Sequence, residues 1–257
     1  MSIDTQITNE AYHANRTHVS SSGLKLYLKD PVAYHKQYVQ GIPWEVPVAL
    51  QNAFDFGTYV HAMVLEPHLL EEDFAIYESG CREAFDYDNQ GKMLITSGQD
   101  HIARRMFDNY SKAVFHPEDK KISTFFEGGK AEESMFAELD GLKVKIRTDY
   151  RKVDSDGIYA SINDVKSTSK NVNFKNVTKI CEELDYDLSA ALYCDVAEKV
   201  TGIRHDFYFL FMGKKDYKSE IFKASEDFLE RGRRKYKRAI AGIKKSRETN
   251  VWVPELA

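Results

Sequence analysis

Two aspartates and a lysine near the middle of the sequence could form a metal-dependent catalytic site. They are Asp149, Asp164 and Lys166, and the turn-forming run Asp154–Gly157 separates the first from the other two. Because side chains alternate along a strand, Asp164 and Lys166 share one face. If the four turn residues form the loop of a hairpin, Asp149 faces Ile162 and is the diagonal neighbour of Asp164, at roughly 7–8 Å. Two carboxylates at that separation can hold one divalent cation beside an amine, as phosphodiester cleavage requires.

The Asp-x-Lys spacing has an ordinary alternative. Acids and bases often alternate on solvent-facing strands, where they pair across the sheet. Here, however, Ala160, Ile162 and Val165 favour a half-buried or central strand. Unpaired charge is costly in such a strand. The surrounding sequence therefore favours a functional site, with a solvated charge pair as the alternative.

Two further residues could join this site. His61 follows Gly57 by four positions, so both lie on one face of a predicted helix, and the glycine leaves room for a close approach. Glu133 lies on the strand before the hairpin and could direct another carboxylate at a metal or a water molecule. A histidine on a helix face is also common as a structural residue. An acid on a strand can equally be an exposed charge.

A basic helix predicted from Glu226 to about Ser246 could contact DNA. Its cations are Arg231, Arg233, Arg234, Lys235, Lys237, Arg238, Lys244, Lys245 and Arg247. The functional interpretation is a surface that follows phosphates, on which Arg234 and Lys237 bind DNA and which Lys25 extends. The alternative is an amphipathic helix with a solvated basic face, because an apolar stripe runs along its other side.

The overall charge does not indicate a general nucleic-acid binder. The 257 residues are 42% hydrophobic and 30% charged, with a formal net charge of -4. The pI is about 6.1. This balance argues against a protein that coats DNA with its whole surface, but it allows a local basic groove.

Other sequence features predict the cellular compartment. Cys81, Cys181 and Cys194 form no Cys-x-x-Cys pair, and their odd number predicts free thiols rather than a zinc or iron–sulfur site. The first nineteen residues contain no apolar signal segment. No apolar run approaches the roughly 18–20 residues that span a bilayer. We therefore expect a cytoplasmic protein.

The order of predicted elements indicates an α+β domain with an α/β-like core, in which helices flank a mixed central sheet. We expect a flexible N-terminus over residues 1–17 and a single domain over residues 18–257. Helices are predicted at about 20–30, 50–65, 96–115, 173–200 and 226–246. Strands are predicted at about 74–77, 122–126, 132–138, 142–153, 157–166, 205–212 and 218–222.

Together these motifs resemble a known nuclease family. The signature of the RecB-like branch of the PD-(D/E)XK nucleases is matched by Gly57-x-x-x-His61, a strand acid, Asp149 and Asp164-x-Lys166. The segment Ser20–Tyr34, with the sequence SSSGLKLYLKDPVAY, resembles the N-terminal helix of those enzymes. Across residues 19–252 the chain is most similar to the nuclease domains of RecE-type exonucleases (exodeoxyribonuclease VIII).

The resemblance implies a 5′-to-3′ exonuclease that acts on double-stranded DNA ends with Mg²⁺, for which Mn²⁺ substitutes. The product would be a 3′ overhang for a RecT-like single-strand annealing protein in phage-type recombination. By resemblance, His61, Asp149 and Asp164 bind the metal, the carbonyl of Val165 is a further ligand, and Lys166 positions or activates the attacking water. The family also implies a ring-shaped homo-oligomer, a tetramer or a trimer, whose channel threads the duplex.

One position departs from the family pattern. Many members of this branch have Gln-x-x-x-Tyr on the helix after the lysine, whereas here Ser189 precedes Tyr193. The resemblance therefore carries a DNA-binding role over to Tyr193 but not to residue 189. Two alternative functions remain: a structure-selective or restriction-type endonuclease with the same centre, and a nuclease fold that binds DNA without cleaving it.

Overall fold

The computed structural model describes residues 1–4, 7–78 and 89–253. Its strands are β1 (Ser2–Asp4), β2 (Phe74–Tyr77), β3 (Met93–Thr96), β4 (Val114–Phe115), β5 (Lys120–Lys121), β6 (Lys130–Leu139), β7 (Leu142–Val153), β8 (Ala160–Thr168), β9 (His205–Gly213) and β10 (Ser219–Lys223). Its helices are α1 (Asn9–Ala14), α2 (Ser21–Lys29), α3 (Pro31–Tyr34), α4 (Val48–Leu65), α5 (Leu70–Asp73), α6 (Ser97–Tyr110), α7 (Phe174–Glu183), α8 (Tyr186–Thr201) and α9 (Glu226–Thr249).

A mixed six-stranded sheet is the centre of the described fold. Its strand order is β1-β6-β7-β8-β9-β10. Neighbouring strands are antiparallel except for β8 and β9, which run parallel along their whole length. Helices α7 and α8 connect these two strands, because a parallel pair needs a crossover. The predicted α+β class, with helices flanking a mixed central sheet, is confirmed.

Helices cover both faces of this sheet. On one face, α2, α8 and α9 form a core that includes Ile162, Leu188 and Ile240. On the other face, α4 and α6 form a second core that includes Val60 and Leu210. Burial on both faces explains why β9 reads as a nearly continuous apolar run from Phe207 to Met212.

Sequence signals fix the ends of the two helices that frame the site. Ser20 caps α2, because its hydroxyl accepts a hydrogen bond from the backbone N–H of Gly23 at 3.4 Å. Helix α4 ends at Leu65, two residues before Pro67, which cannot continue a helix. Helix α4 packs against β7 and β8 and so carries His61 to these strands.

The register of the β7–β8 hairpin differs from the prediction by two residues. Ile162 pairs with Arg151 rather than with Asp149. The loop is longer than predicted because it closes between Asp154 and Tyr159, whose backbone groups and the Asp154 carboxylate hydrogen-bond across its base. The backbone pair farthest from the loop is Tyr150 with Asn163, so the pairing stops next to Asp149. A two-residue shift preserves the alternation of side chains.

Other predicted elements also differ from the structure. Residues 122–126 form a 3₁₀ turn rather than a strand, and Ile122 and Phe125 are buried at its three-residue spacing. The helix predicted at 173–200 is divided into α7 and α8, because Asp185 between them is left-handed (φ 48°). We expected no regular structure before residue 18, but β1 pairs with β6 and Tyr12 of α1 is buried. The strand predicted at 74–77 is β2, which pairs with β3 outside the central sheet.

The cysteine prediction is partly covered by the described residues. Cys181 and Cys194 are buried free thiols, and Cys81 lies outside the described residues. Within the described ranges, none of the helices combines the length and the apolar composition that crossing a lipid bilayer requires.

Candidate metal centre

A cleft of about 800 Å³ opens where α1, α2, α4 and α8 meet the strands β6 to β8. Several of the residues predicted from the sequence line it: His61, Asp149, Val165, Lys166 and Tyr193. Residues more than 130 positions apart in the sequence therefore share one cavity.

Three side chains in this cleft could hold a cation together. They are His61 of α4, Glu132 of β6 and Asp149 of β7, and we call them the ligand group. One ligand atom of each lies within 4.8 Å of the other two. His61 Nδ1 lies 3.5 Å from Asp149 Oδ2. An imidazole and two carboxylates match the donors that Mg²⁺ and Mn²⁺ accept, so the residues fit a divalent ion of this kind.

Hydrogen bonds to the backbone of Val165 orient two members of the ligand group, His61 and Asp149. His61 Nε2 lies 2.7 Å from the Val165 carbonyl oxygen, and Asp149 Oδ2 accepts from the Val165 N–H at 2.8 Å. A carbonyl oxygen can only accept, so Nε2 carries a hydrogen. In the neutral tautomer, the Nδ1 lone pair then faces the carboxylate of Asp149. A cation bound between His61 Nδ1 and the Asp149 carboxylate would stabilise this arrangement, because both groups would donate electron pairs to it.

Asp164 and Lys166 form an ion pair beside the ligand group. Lys166 Nζ lies 2.5 Å from Asp164 Oδ2 and 3.2 Å from the Val165 carbonyl oxygen. Asp164 is 7% exposed. Burial raises the pKa of its carboxyl to about 6, while Lys166 opposes this rise and Asp149 adds to it. Burial disfavours the charge of Lys166, but Asp164 and Asp149 together raise its pKa above the ordinary value.

The sequence matches the family described as a PDDEXK-like domain of unknown function (DUF3799) over residues 20–255. The chain belongs to this family. The match confirms the resemblance to the PD-(D/E)XK superfamily, so the chain has a domain of nuclease type. A comparison with curated proteins gives no match.

A solved structure supports the fold of this DUF3799 chain. The crystal structure of a protein described as "Putative exonuclease" from Eubacterium rectale is similar, with a TM-score of 0.64 and 17% identity over 96% of this chain and 89% of that chain. At this identity the likeness establishes a shared fold. The crystal structure of SSO0001 aligns with a TM-score of 0.33 and 10% identity over 75% of this chain and 86% of that chain, and we draw no conclusion from it.

In the DUF3799 chain, Glu132 rather than Glu133 belongs to the ligand group. Glu133 is 1% exposed and its carboxylate pairs with Arg151. Glu132 has a left-handed backbone (φ 52°), which interrupts the alternation of side chains along β6 and leaves its carboxylate beside Asp149. Burial raises the pKa of Glu132, Asp149 adds to the rise, and Arg147, at 2.6 Å, opposes it.

From the sequence, neither Glu132 nor Arg147 was assigned a role at the site. Their only signal was the doublet Glu132-Glu133 opposite the alternating cations of β7. Two adjacent acids on a strand point to opposite faces, so one of them had to face the site side. Regular alternation could not show which one, because it assumes extended backbone at both residues.

The remaining site residues of the DUF3799 chain occupy different environments. Tyr193 of α8 lines the cleft, and burial raises the pKa of its hydroxyl. Lys25 of α2 donates a hydrogen bond to the Leu184 carbonyl oxygen at 2.8 Å. Burial and then the charge of Lys166 lower the pKa of Lys25 to about 8. Lys25 therefore has an anchoring contact in addition to its predicted role in DNA binding.

Helix α9 uses part of its positive charge inside the fold. Arg231 and Lys235 form ion pairs with Asp187, and Arg233 pairs with Asp195. Arg234 and Lys237 are exposed, and neither they nor other residues of α9 are among the described residues that line the cleft. Any contact of Arg234 and Lys237 with DNA must therefore form outside the cleft.

Proposed function

We propose that this DUF3799 chain is a divalent-metal-dependent exonuclease that degrades linear double-stranded DNA. The observation that carries the proposal is the placement of His61, Glu132 and Asp149 within 4.8 Å of one another, in the same cleft as Lys166. A bound Mg²⁺ would supply Lewis-acid stabilisation of the phosphate and lower the pKa of a coordinated water.

The side chains around this site divide the remaining work. The ligand group holds the cation, and Val165 fixes the orientation of His61 and Asp149 through its backbone N–H and carbonyl oxygen. Lys166, as an ammonium, donates hydrogen bonds to the scissile phosphate or to the attacking water. Asp164, at 2.5 Å from Lys166 Nζ, balances the ammonium charge and is available as a further carboxylate ligand. Tyr193 and Lys25 contact DNA near the cleft in this proposal.

The finer parts of the proposal rest on the resemblance stated above. They are 5′-to-3′ polarity, a 3′ overhang passed to a RecT-like annealing protein, a ring-shaped homo-oligomer, and activity in the cytoplasm. Mg²⁺ is the proposed ion and Mn²⁺ its substitute, because hard oxygen donors with one imidazole suit both.

End-labelled linear duplexes test the proposal directly. Substrates carrying a label at the 5′ or the 3′ end are incubated with the protein, with and without Mg²⁺, beside a covalently closed circular duplex. We expect Mg²⁺-dependent release of the 5′ label as mononucleotides, and intact circles. Asp149→Asn should abolish release, whereas Asp156→Asn in the exposed β7–β8 loop is the matched control and should cleave normally.

Other outcomes would select the alternative functions. Cleavage of the circles would identify an endonuclease. DNA binding with no divalent-dependent cleavage by the wild type would identify a nuclease fold that only binds DNA. Light scattering coupled to size-exclusion chromatography tests the oligomer, and a monomeric mass would refute the ring.

A further inference from the structure

The ring of Tyr186 lies against the ammonium group of the proposed catalytic lysine. Lys166 Nζ is 5.5 Å from the ring centroid and Lys25 Nζ is 5.1 Å from it. The ring also stacks on Phe209, with centroids 5.8 Å apart and an interplanar angle of 19°. Tyr186 lines the same cleft as the ligand group. An ammonium within about 6 Å of an aromatic ring is attracted by its π electrons.

Ion pairs on both sides of Tyr186 fix its position in the chain. Asp185 and Asp187 flank it, and Lys235 Nζ lies 2.6 Å from the first carboxylate and 2.9 Å from the second. Arg231 Nε lies 2.6 Å from the carboxylate of Asp187, whose side chain is fully buried. Helix α9 therefore holds the first turn of α8 through charges that flank the tyrosine.

Two close contacts make this attachment tight. At Gly232 of α9, an added Cβ would lie 1.9 Å from the Asp187 carbonyl oxygen, so only glycine allows the two helices to approach this far. From the other side, Lys25 binds the carbonyl oxygen of Leu184, two residues before the ring, at 2.8 Å. Tyr186 is thus held from α2 and from α9 at once.

We propose that Tyr186 is a positioning residue that holds the ammonium of Lys166 at the metal centre. A lysine has a flexible four-carbon stem and no planar group to orient it. Asp164 and the Val165 carbonyl oxygen contact the ammonium from β8, and the ring of Tyr186 contacts it from the opposite element, α8. The inference rests on the proposed function, because it acts through Lys166.

Kinetics on linear duplexes separate a positioning role from a structural one. Tyr186→Leu should lower kcat by about tenfold while KM stays within about twofold of wild type, because the ring attracts the ammonium and does not bind substrate. Tyr186→Phe keeps the ring and should retain kcat within about twofold. Tyr159→Leu is the matched control, because Tyr159 is a partly exposed tyrosine outside the cleft lining, and it should leave kcat unchanged. If Tyr186→Leu does not fold, Tyr186→Met takes its place.

A measurement without metal or DNA tests the contact itself. Lysines labelled with ¹³C at Cε give NMR signals, and the Lys166 signal is the one lost in Lys166→Arg. The ring current should shift this signal in wild type and in Tyr186→Phe, and the shift should disappear in Tyr186→Leu. An unchanged Lys166 signal, or equal kcat losses in the Leu and Phe variants, would overturn the inference. A wild type without cleavage would instead refute the proposed function, and the NMR result would still decide the contact.

Discussion

Replacing each of the adjacent glutamates of β6 by glutamine should have opposite effects on stability and on metal binding. Glu133 is 1% exposed and pairs with Arg151, whose side chain is 11% exposed. Removing one partner of a buried ion pair costs about 3–5 kcal/mol, and glutamine retains one hydrogen-bond acceptor. We therefore expect Glu133→Gln to lower the free energy of unfolding by about 2–3 kcal/mol. For a chain of this size, that corresponds to a Tm lower by roughly 5–10 °C.

The charges around Glu132 differ from those around Glu133. Its side chain is 27% exposed and pairs with Arg147 at 2.6 Å, a contact worth at most about 1 kcal/mol at this exposure. Burial and the nearby charge of Asp149 raise the pKa of Glu132, so a neutral glutamine relieves an unfavourable charge. The free energy of unfolding of Glu132→Gln should therefore stay within about 1 kcal/mol of wild type. Metal binding should weaken, because the ligand group loses one carboxylate.

Two measurements separate these effects. Urea unfolding in EDTA near neutral pH gives the stability of each variant, and calorimetric titration with Mn²⁺ gives the affinity. At a Mn²⁺ concentration about 100 times the wild-type Kd, the ion should stabilise wild type by about 2.7 kcal/mol. Glu133→Gln should retain this gain and Glu132→Gln should lose most of it. Glu138→Gln, exposed on the same strand, is the control. The assignment would be refuted if Glu133→Gln lost Mn²⁺ binding while its metal-free stability stayed normal.

Three further predictions follow from buried and exposed charges. The pKa of Asp164 is raised from 3.8 to about 6, so its contribution to metal-free stability is present below its ordinary pKa and lost as pH rises through about 6. Asp164→Asn should remove this loss of stability, on the order of 3 kcal/mol, from urea unfolding between pH 4 and 7. Burial and then the charge of Arg151 lower the pKa of His205 from 6.5 to about 4. The contribution of His205 to the free energy of unfolding is therefore present above pH 6.5 and lost as pH falls toward 4. The free energy of unfolding of His205→Leu should depend less on pH in that range. Replacing Arg234 and Lys237 by glutamine should make the slope of log affinity for DNA against log salt concentration shallower by about 0.9 per lost phosphate contact. An unchanged slope would show that these two residues of α9 are solvated charges that do not contact DNA.

The sequence predicts best where local pattern and tertiary packing agree. Strand β7 has the predicted bounds, because its apolar alternation matches a half-buried strand. Helix α4 lies within two residues of its predicted start and ends as predicted before Pro67. These elements place His61 and Asp149 in one cleft, so the nucleus of the site was accessible from residue types and spacing.

The errors arise where the backbone leaves its regular period or where a partner is distant in sequence. The left-handed conformation of Glu132 reverses the roles expected for two adjacent acids. The β7–β8 register depends on hydrogen bonds within the loop between Asp154 and Tyr159, which composition alone does not specify. The ion pairs between α8 and α9 join residues more than 35 positions apart. A helical pattern therefore could not show which cations of α9 remain free for DNA.

Under the proposed function, the charges around the ligand group would make DNA binding by this acidic chain depend on the metal. With His61 neutral, the carboxylates of Glu132, Asp149 and Asp164 exceed the cations Arg147 and Lys166 by one charge. A phosphate therefore approaches a site that is slightly negative without metal. A divalent ion on the ligand group reverses the sign and makes the same site attractive to phosphate. Net charge over the whole chain is consequently a poor guide to DNA binding, because the bound cation determines the sign of the electrostatic potential at the site.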